Sequence, residues 1–218
     1  MSSVIMDGCP AFLPALPGDD PNVFIWLDEH ATAFQGRVLM GILTGLIRCI
    51  DRLNTWFGKL AGYIALLMVM VVTADVIMRY AFDTSFVAVQ ELEWHLFGVV
   101  FLLGAGYTLL VDGHVRVDVF YQRLSPKGQA WTNLLGVILF LLPGCFLVLD
   151  TSWQFFRMSY VIGEGSPDPG GLPARYVLKA FILVGFILVA LQGISMGIKS
   201  FLTLIDRPHE EPKGRAHK

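Results

Sequence analysis

The chain is predicted to be an all-α integral membrane protein: four transmembrane helices, an N-terminal amphipathic interfacial helix, and a short cytoplasmic surface helix between the second and third spans. Three observations predict it. Hydrophobic residues make up 55% of the 218 and charged residues only 16%, a balance that a water-exposed globular surface does not use. Four apolar runs approach the roughly 20 residues that a helix needs to cross about 30 Å of hydrocarbon. Trp56, Trp94, Trp131 and Tyr176 stand at or near the ends of those runs, where an amphipathic ring prefers the interface.

Residues 1–36 are expected to form a flexible tail, because the stretch up to about Pro21 is rich in Pro, Gly and Asp and poor in patterned apolar residues. Its opening residues lack a basic region followed by an apolar core, so no signal peptide is expected. Over residues 37–52 the pattern changes. Val38, Leu39, Ile42, Leu43, Leu46, Ile47 and Ile50 recur at three- and four-residue spacing beside Arg37, Thr44, Arg48 and Asp51, which predicts an amphipathic helix on the inner membrane surface. A fifth span ranks second, since the run is short and bounded by Arg37 and Arg48.

The membrane domain is assigned to residues 53–200, with spans near 60–78, 94–110, 131–149 and 176–198, and residues 201–218 as a cytoplasmic tail. Each span must be a helix, because hydrocarbon offers no water to backbone groups left open by another single-segment conformation. Twelve Lys and Arg lie before the first span, between the second and third, and after the fourth; only Arg79, Arg157, Arg175 and Lys179 lie opposite. The positive-inside rule therefore predicts that both termini are cytoplasmic.

Polar residues inside the spans are informative, since a charge at mid-bilayer costs about 2.5–3.5 kcal/mol on insertion scales. Asp75 lies one turn before Arg79, and an i,i+4 pair would offset part of each cost while Arg79 snorkels outward. A proton relay is the sharper alternative. Glu91 and Glu93 open the second span, either favoured by the positive end of the helix dipole or reserved for a partner. Lys179 is expected to snorkel, and Gln192 to hydrogen-bond across a helix interface. Pro143-Gly144 predicts a bend in the third span. Gly163–Pro173 holds three prolines and four glycines, so it is a turn-rich outer loop in which Glu164 and Asp168 offer a docking surface.

Between the second and third spans lies Asp112-Gly-His-Val-Arg-Val-Asp-Val-Phe-Tyr121. Read as a helix over His114–Leu124 capped by Asp112, it places Val117, Phe120, Tyr121 and Leu124 on one face and His114, Asp118 and Gln122 on another. The alternation of His114, Arg116 and Asp118 with valines also fits a strand, but an unpaired strand at a membrane surface leaves its edges open. Ser125-Pro126 ends this segment and starts the next helix as cap and first residue.

Several functions find no support. A net charge of −2 offers no field for nucleic acid. Cys9, Cys49 and Cys145 form no CxxC pair. His114 and Asp118 at i,i+4 lack the third and fourth ligands of a metal site. His95 and His114 are about 28 Å apart along one helical path, too far to clamp a haem. With no nucleophile–base constellation or phosphate-binding glycine loop, the chain does not read as an enzyme, and no cofactor is expected in it.

Four stretches together resemble the small membrane subunit of tripartite ATP-independent periplasmic (TRAP) transporters: Val76-Ile-Met-Arg-Tyr80, Glu91-Leu92, Gly113-His-Val-Arg-Val-Asp118 and Ser166-Pro-Asp-Pro-Gly-Gly-Leu-Pro173. The resemblance runs from about Asp51 to Ser200; Gly165 departs from it, standing where many relatives carry serine. It implies a bacterial inner-membrane complex in which a large permease subunit carries the substrate and sodium sites, and a periplasmic binding protein delivers an organic anion. The small subunit then braces the large one. His114, Arg116 and Asp118 would tie the inner loop to the assembly, and Glu164–Pro173 would face the docked periplasmic protein. Membrane lipids are the remaining expected partner. Two other classes stay open: a self-sufficient small transporter using Asp75, and the membrane anchor of a redox enzyme.

Overall fold

A computed structural model describes residues 21–113, 121 and 123–205, with side chains from residue 39 onward. His114, Arg116 and Asp118, and most of the expected surface helix, lie outside the described residues. The chain divides into two units, Met1–Ile42 and Leu43–Lys218; the account below concerns the second.

Among the described residues all regular structure is helical. Helix α1 covers Pro21–Ala81, α2 Val87–Leu110, α3 Pro126–Gly136, α4 Leu142–Val161 and α5 Tyr176–Leu204. A π-helical turn, Val137–Leu141, joins α3 to α4. Four segments are long and apolar enough to cross a membrane: Leu39–Ala81, Val87–Leu110, Pro126–Val161 and Tyr176–Leu204. Residues 37–52 fall within the same helix as the first span.

Helix boundaries follow local chemistry. After α1, Asp83 takes a positive φ of 49°, and the Thr84 N–H returns to the Met78 carbonyl at 3.2 Å, an αL termination that satisfies a late carbonyl. Helix α2 stops the same way: Asp112 has φ 58° and the Gly113 N–H reaches the Thr108 carbonyl at 2.8 Å. Asp112 thus closes this helix, and the segment it was expected to cap lies outside the described residues. Ser125 does cap α3, its Oγ accepting from the Gly128 N–H at 3.2 Å, with Pro126 in the first turn.

The helix of the third span runs on to Val161, past the apolar run that was expected to end at residue 149. Pro143 lacks the N–H that would bond the Leu139 carbonyl. One turn earlier the ladder widens, with the Leu142 N–H on the Val137 carbonyl, so the expected bend takes the form of a π turn.

Helix α5 is the common neighbour of α2, α3 and α4. On one seam, a Cβ at Gly185 would stand 2.8 Å from the Leu102 carbonyl oxygen. Only glycine permits that approach of α2 to α5. Ala61, Leu103 and Leu188 form the buried core, with Phe57, Leu60, Ile64, Val99, Phe181 and Val184 packed on it.

Candidate functional site

Polar chemistry collects at the two ends of this apolar core. At one end stands Glu91, in the second turn of α2 and 4% exposed. Its helix has Phe86 at the N-cap with no side-chain bond, and the Glu91 carboxylate turns away from the helix start to the α4–α5 loop. Its Oε1 accepts from the Ser166 hydroxyl and from the Arg175 guanidinium at 3.1 Å. Its Oε2 accepts from the Leu172 N–H at 2.6 Å. Charge-assisted donors of this kind are the strong ones, and three of them compensate the cost of taking a carboxylate out of water.

The loop is shaped to supply those donors. The Ser166 Oγ accepts from the Asp168 N–H at 3.1 Å, the Gly171 N–H bonds the Asp168 carbonyl at 3.0 Å, and the Ser166 N–H bonds the Leu172 carbonyl at 3.0 Å. Two tight turns thereby face the Ser166 hydroxyl and the Leu172 amide toward Glu91. Ala174 holds φ 66°, an unfavourable left-handed conformation for a residue with a Cβ, and the Arg175 N–H bonds the Glu164 carbonyl at 2.9 Å. Arg175 lies 5.5 Å over the Trp94 ring, which adds a cation–π contact.

Glu164 pairs with Lys179, whose ammonium also lies 3.8 Å over the Phe155 ring. The hydrogen bond from Lys179 holds the Glu164 carboxyl below the usual glutamate range. Asp168 is exposed at the loop tip. Glu93, next to Glu91 in sequence, is half-buried, and its Oε1 meets no hydrogen-bond partner among the described residues. The His95 Nδ1 lies 2.6 Å from the Glu91 carbonyl. Asp75 is 2% exposed and pairs with Arg79, which is 47% exposed, while the Asp75 Oδ1 has no partner among the described residues.

A second polar tie, at the other end, joins α1 to α5. The Asp51 Oδ1 accepts from Gln192 at 3.1 Å and from the Ser195 hydroxyl at 2.9 Å; its Oδ2 accepts from the Lys199 ammonium at 2.8 Å. The Asn54 amide donates to the Gln192 Oε1 at 3.0 Å and to the Ile50 carbonyl at 3.3 Å. Asn54 is fully buried and occupies the space in which a Cβ on Gly106 would sit, 2.1 Å from its Oδ1. Gln192 was expected at a helix interface; Asp51 and Asn54 were missed as its partners. A signal existed in the spacing, since Gln192, Ser195 and Lys199 share one face of α5, as Asp51 and Asn54 share one of α1.

The fold and these ties define a multi-pass helical membrane protein whose buried polar side chains join its own helices and loop. The chain belongs to the DctQ component family of the tripartite ATP-independent periplasmic transporters, whose family model matches residues 68–203. It is 28% identical over 125 residues to a Haemophilus influenzae protein described as a TRAP transporter small permease protein, covering 57% of this chain and 75% of that one. It is 25% identical over 161 residues to the ectoine TRAP transporter small permease protein TeaB of Halomonas elongata, covering 72% and 82%. No solved structure matches the chain. It is therefore a small TRAP permease subunit and an inner-membrane protein.

Proposed function

We propose that this subunit braces the large permease subunit of a TRAP transporter for sodium-coupled uptake of an organic anion delivered by a periplasmic binding protein. The observation that carries the reading is the apolar core around Ala61, Leu103 and Leu188, which separates the Glu91 tie from the Asp51 tie. An ion-coupled pathway needs polar groups near the bilayer midplane, and the packed centre of this chain places hydrocarbon there. Sodium and substrate sites accordingly belong to the large subunit, with no cofactor here. Both termini and the Asp51 tie are cytoplasmic, the Glu91 tie is periplasmic, and the hydrogen-bonded loop Glu164–Pro173 faces the binding protein.

Co-purification from membranes with a tagged large subunit tests the partnership. Liposomes then separate the classes: uptake is expected with both membrane subunits and the binding protein, and none with this chain alone. Uptake by this chain alone, abolished by Asp75→Asn, would establish the self-sufficient transporter in its place.

A further inference from the structure

We infer that the polar cavity between α3 and α5 binds a phosphoethanolamine group, as an aminophospholipid of the surrounding leaflet carries it. The cavity holds about 350 Å³, within the range of about 300–1,000 Å³ usual for small-ligand sites. One wall is the stripe of α5 from Gln192 to Thr203, and the other is the stripe of α3 from Pro126 to Asn133. Helix α2 ends and α3 begins beside it. Trp131 stands between Gln129 and Asn133 in the chain and is 54% exposed, which sets the cavity at the interface level, where headgroups lie.

The two walls carry opposite chemistry. Ser200 is 6% exposed and lines the cavity, yet its hydroxyl forms no hydrogen bond among the described residues. A buried polar group left so costs free energy until something meets it. Next to it, the Lys199 ammonium gives one N–H to the Asp51 Oδ2 at 2.8 Å and keeps the others. The α5 wall therefore donates. On α3, Gln129 spends its Nε2 on the Tyr121 and Leu124 carbonyls, both at 3.3 Å, and Asn133 spends its Nδ2 on the Tyr121 hydroxyl at 2.8 Å. Their Oε1 and Oδ1 meet no partner among the described residues, so the α3 wall accepts.

Charge narrows the ligand further. Asp51 already neutralises Lys199, and the exposed Asp112 adds a carboxylate to the lining, so a net anion is not favoured there. A bare cation would leave Ser200 and Lys199 without an acceptor. A zwitterion serves both walls, with its phosphate on Lys199 and Ser200 and its ammonium on Gln129 and Asn133. Phosphocholine has the charges but no ammonium N–H for the α3 oxygens. Phosphoglycerol can donate there but carries a net negative charge.

Native mass spectrometry of the full chain in detergent, with lipids of identical acyl chains added, tests the assignment. Phosphatidylethanolamine is expected to bind about tenfold more tightly than phosphatidylcholine or phosphatidylglycerol, the worth of a hydrogen bond to a charged group. Ser200→Ala is expected to weaken its binding about tenfold. Without lipid the same variant is expected to unfold like the unsubstituted chain, because the hydroxyl has no partner within it. Soluble glycerophosphoethanolamine, added at equal concentration, is expected not to displace the lipid; displacement would uphold the group and overturn the lipid as its source. Equal binding of the three lipids, or phosphatidylethanolamine binding unmoved by Ser200→Ala, overturns the site.

Discussion

Replacing Gly185 with alanine should loosen the contact between α2 and α5 that organises the fold. The added Cβ would sit 2.8 Å from the Leu102 carbonyl oxygen and 3.0 Å from the Leu102 Cβ, against an ordinary separation of about 3.5–4.0 Å. Both obstacles are backbone or the first side-chain carbon, so no rotamer change removes them. The helices must part by about 0.5–1 Å, which forfeits a quarter to a half of each facing dispersion contact. Leu103 and Leu188, 1% and 3% exposed, lie within one turn and lose packing with them. Overpacking of this kind costs about 1–3 kcal/mol; taking about 2 kcal/mol, the unfolding equilibrium shifts roughly 30-fold. Equilibrium unfolding in detergent, followed by tryptophan fluorescence, reads the shift. Gly62→Ala is the control, since nothing lies within 4 Å of a Cβ built there. Equal stability of the two variants would refute the reasoning, as would full rescue of Gly185→Ala by Leu102→Ala, which leaves the carbonyl in place.

Gln192→Ala should cost about 1–3 kcal/mol in the same assay, because it leaves the fully buried Asn54 and the half-buried Asp51 each short of a partner; a double-mutant cycle with Asn54→Ala should show coupling between the two. Ala174→Gly should stabilise the fold by about 0.5–1 kcal/mol, relieving the left-handed alanine by more than the extra freedom it gives the unfolded chain; a loss of stability would count against the positive φ. Glu164 has a carboxyl held below its ordinary 4.5, so its pairing contributes fully above that pH and fades as pH falls through the depressed value. The difference in unfolding temperature between the unsubstituted chain and Glu164→Gln should accordingly be constant at neutral pH and shrink with acidification below 4.5; a difference that grew there would reverse the assigned sign.

Membrane helices announce themselves because the hydrocarbon requires long apolar runs, and the four spans were legible for that reason. The Ser125-Pro126 start of α3 was legible too, since capping is a local event. Less local features were not. The third span looked finished at Leu149 because Asp150, Gln154 and Arg157 break the apolar composition, but a helix does not end where its lipid-soluble stretch does, and α4 continues to Val161. Glu91 carried no sign of its partners, which lie 75 to 84 residues further on. The loop's prolines and glycines showed that it turns, not which carboxylate it turns around. Asp51 was absorbed into an amphipathic pattern that explained it without reference to α5.

The cradle around Glu91 has a consequence for exchanging parts between relatives. Because the loop takes its shape from a carboxylate carried on another helix, residues 164–175 are not a self-sufficient cassette. Grafting them alone onto a relative without an acidic residue at the matching place in α2 would transplant a sequence without its conformation. A chimera built to transfer whatever this surface recognises must move the second turn of α2 together with the loop, as one discontinuous unit of inheritance.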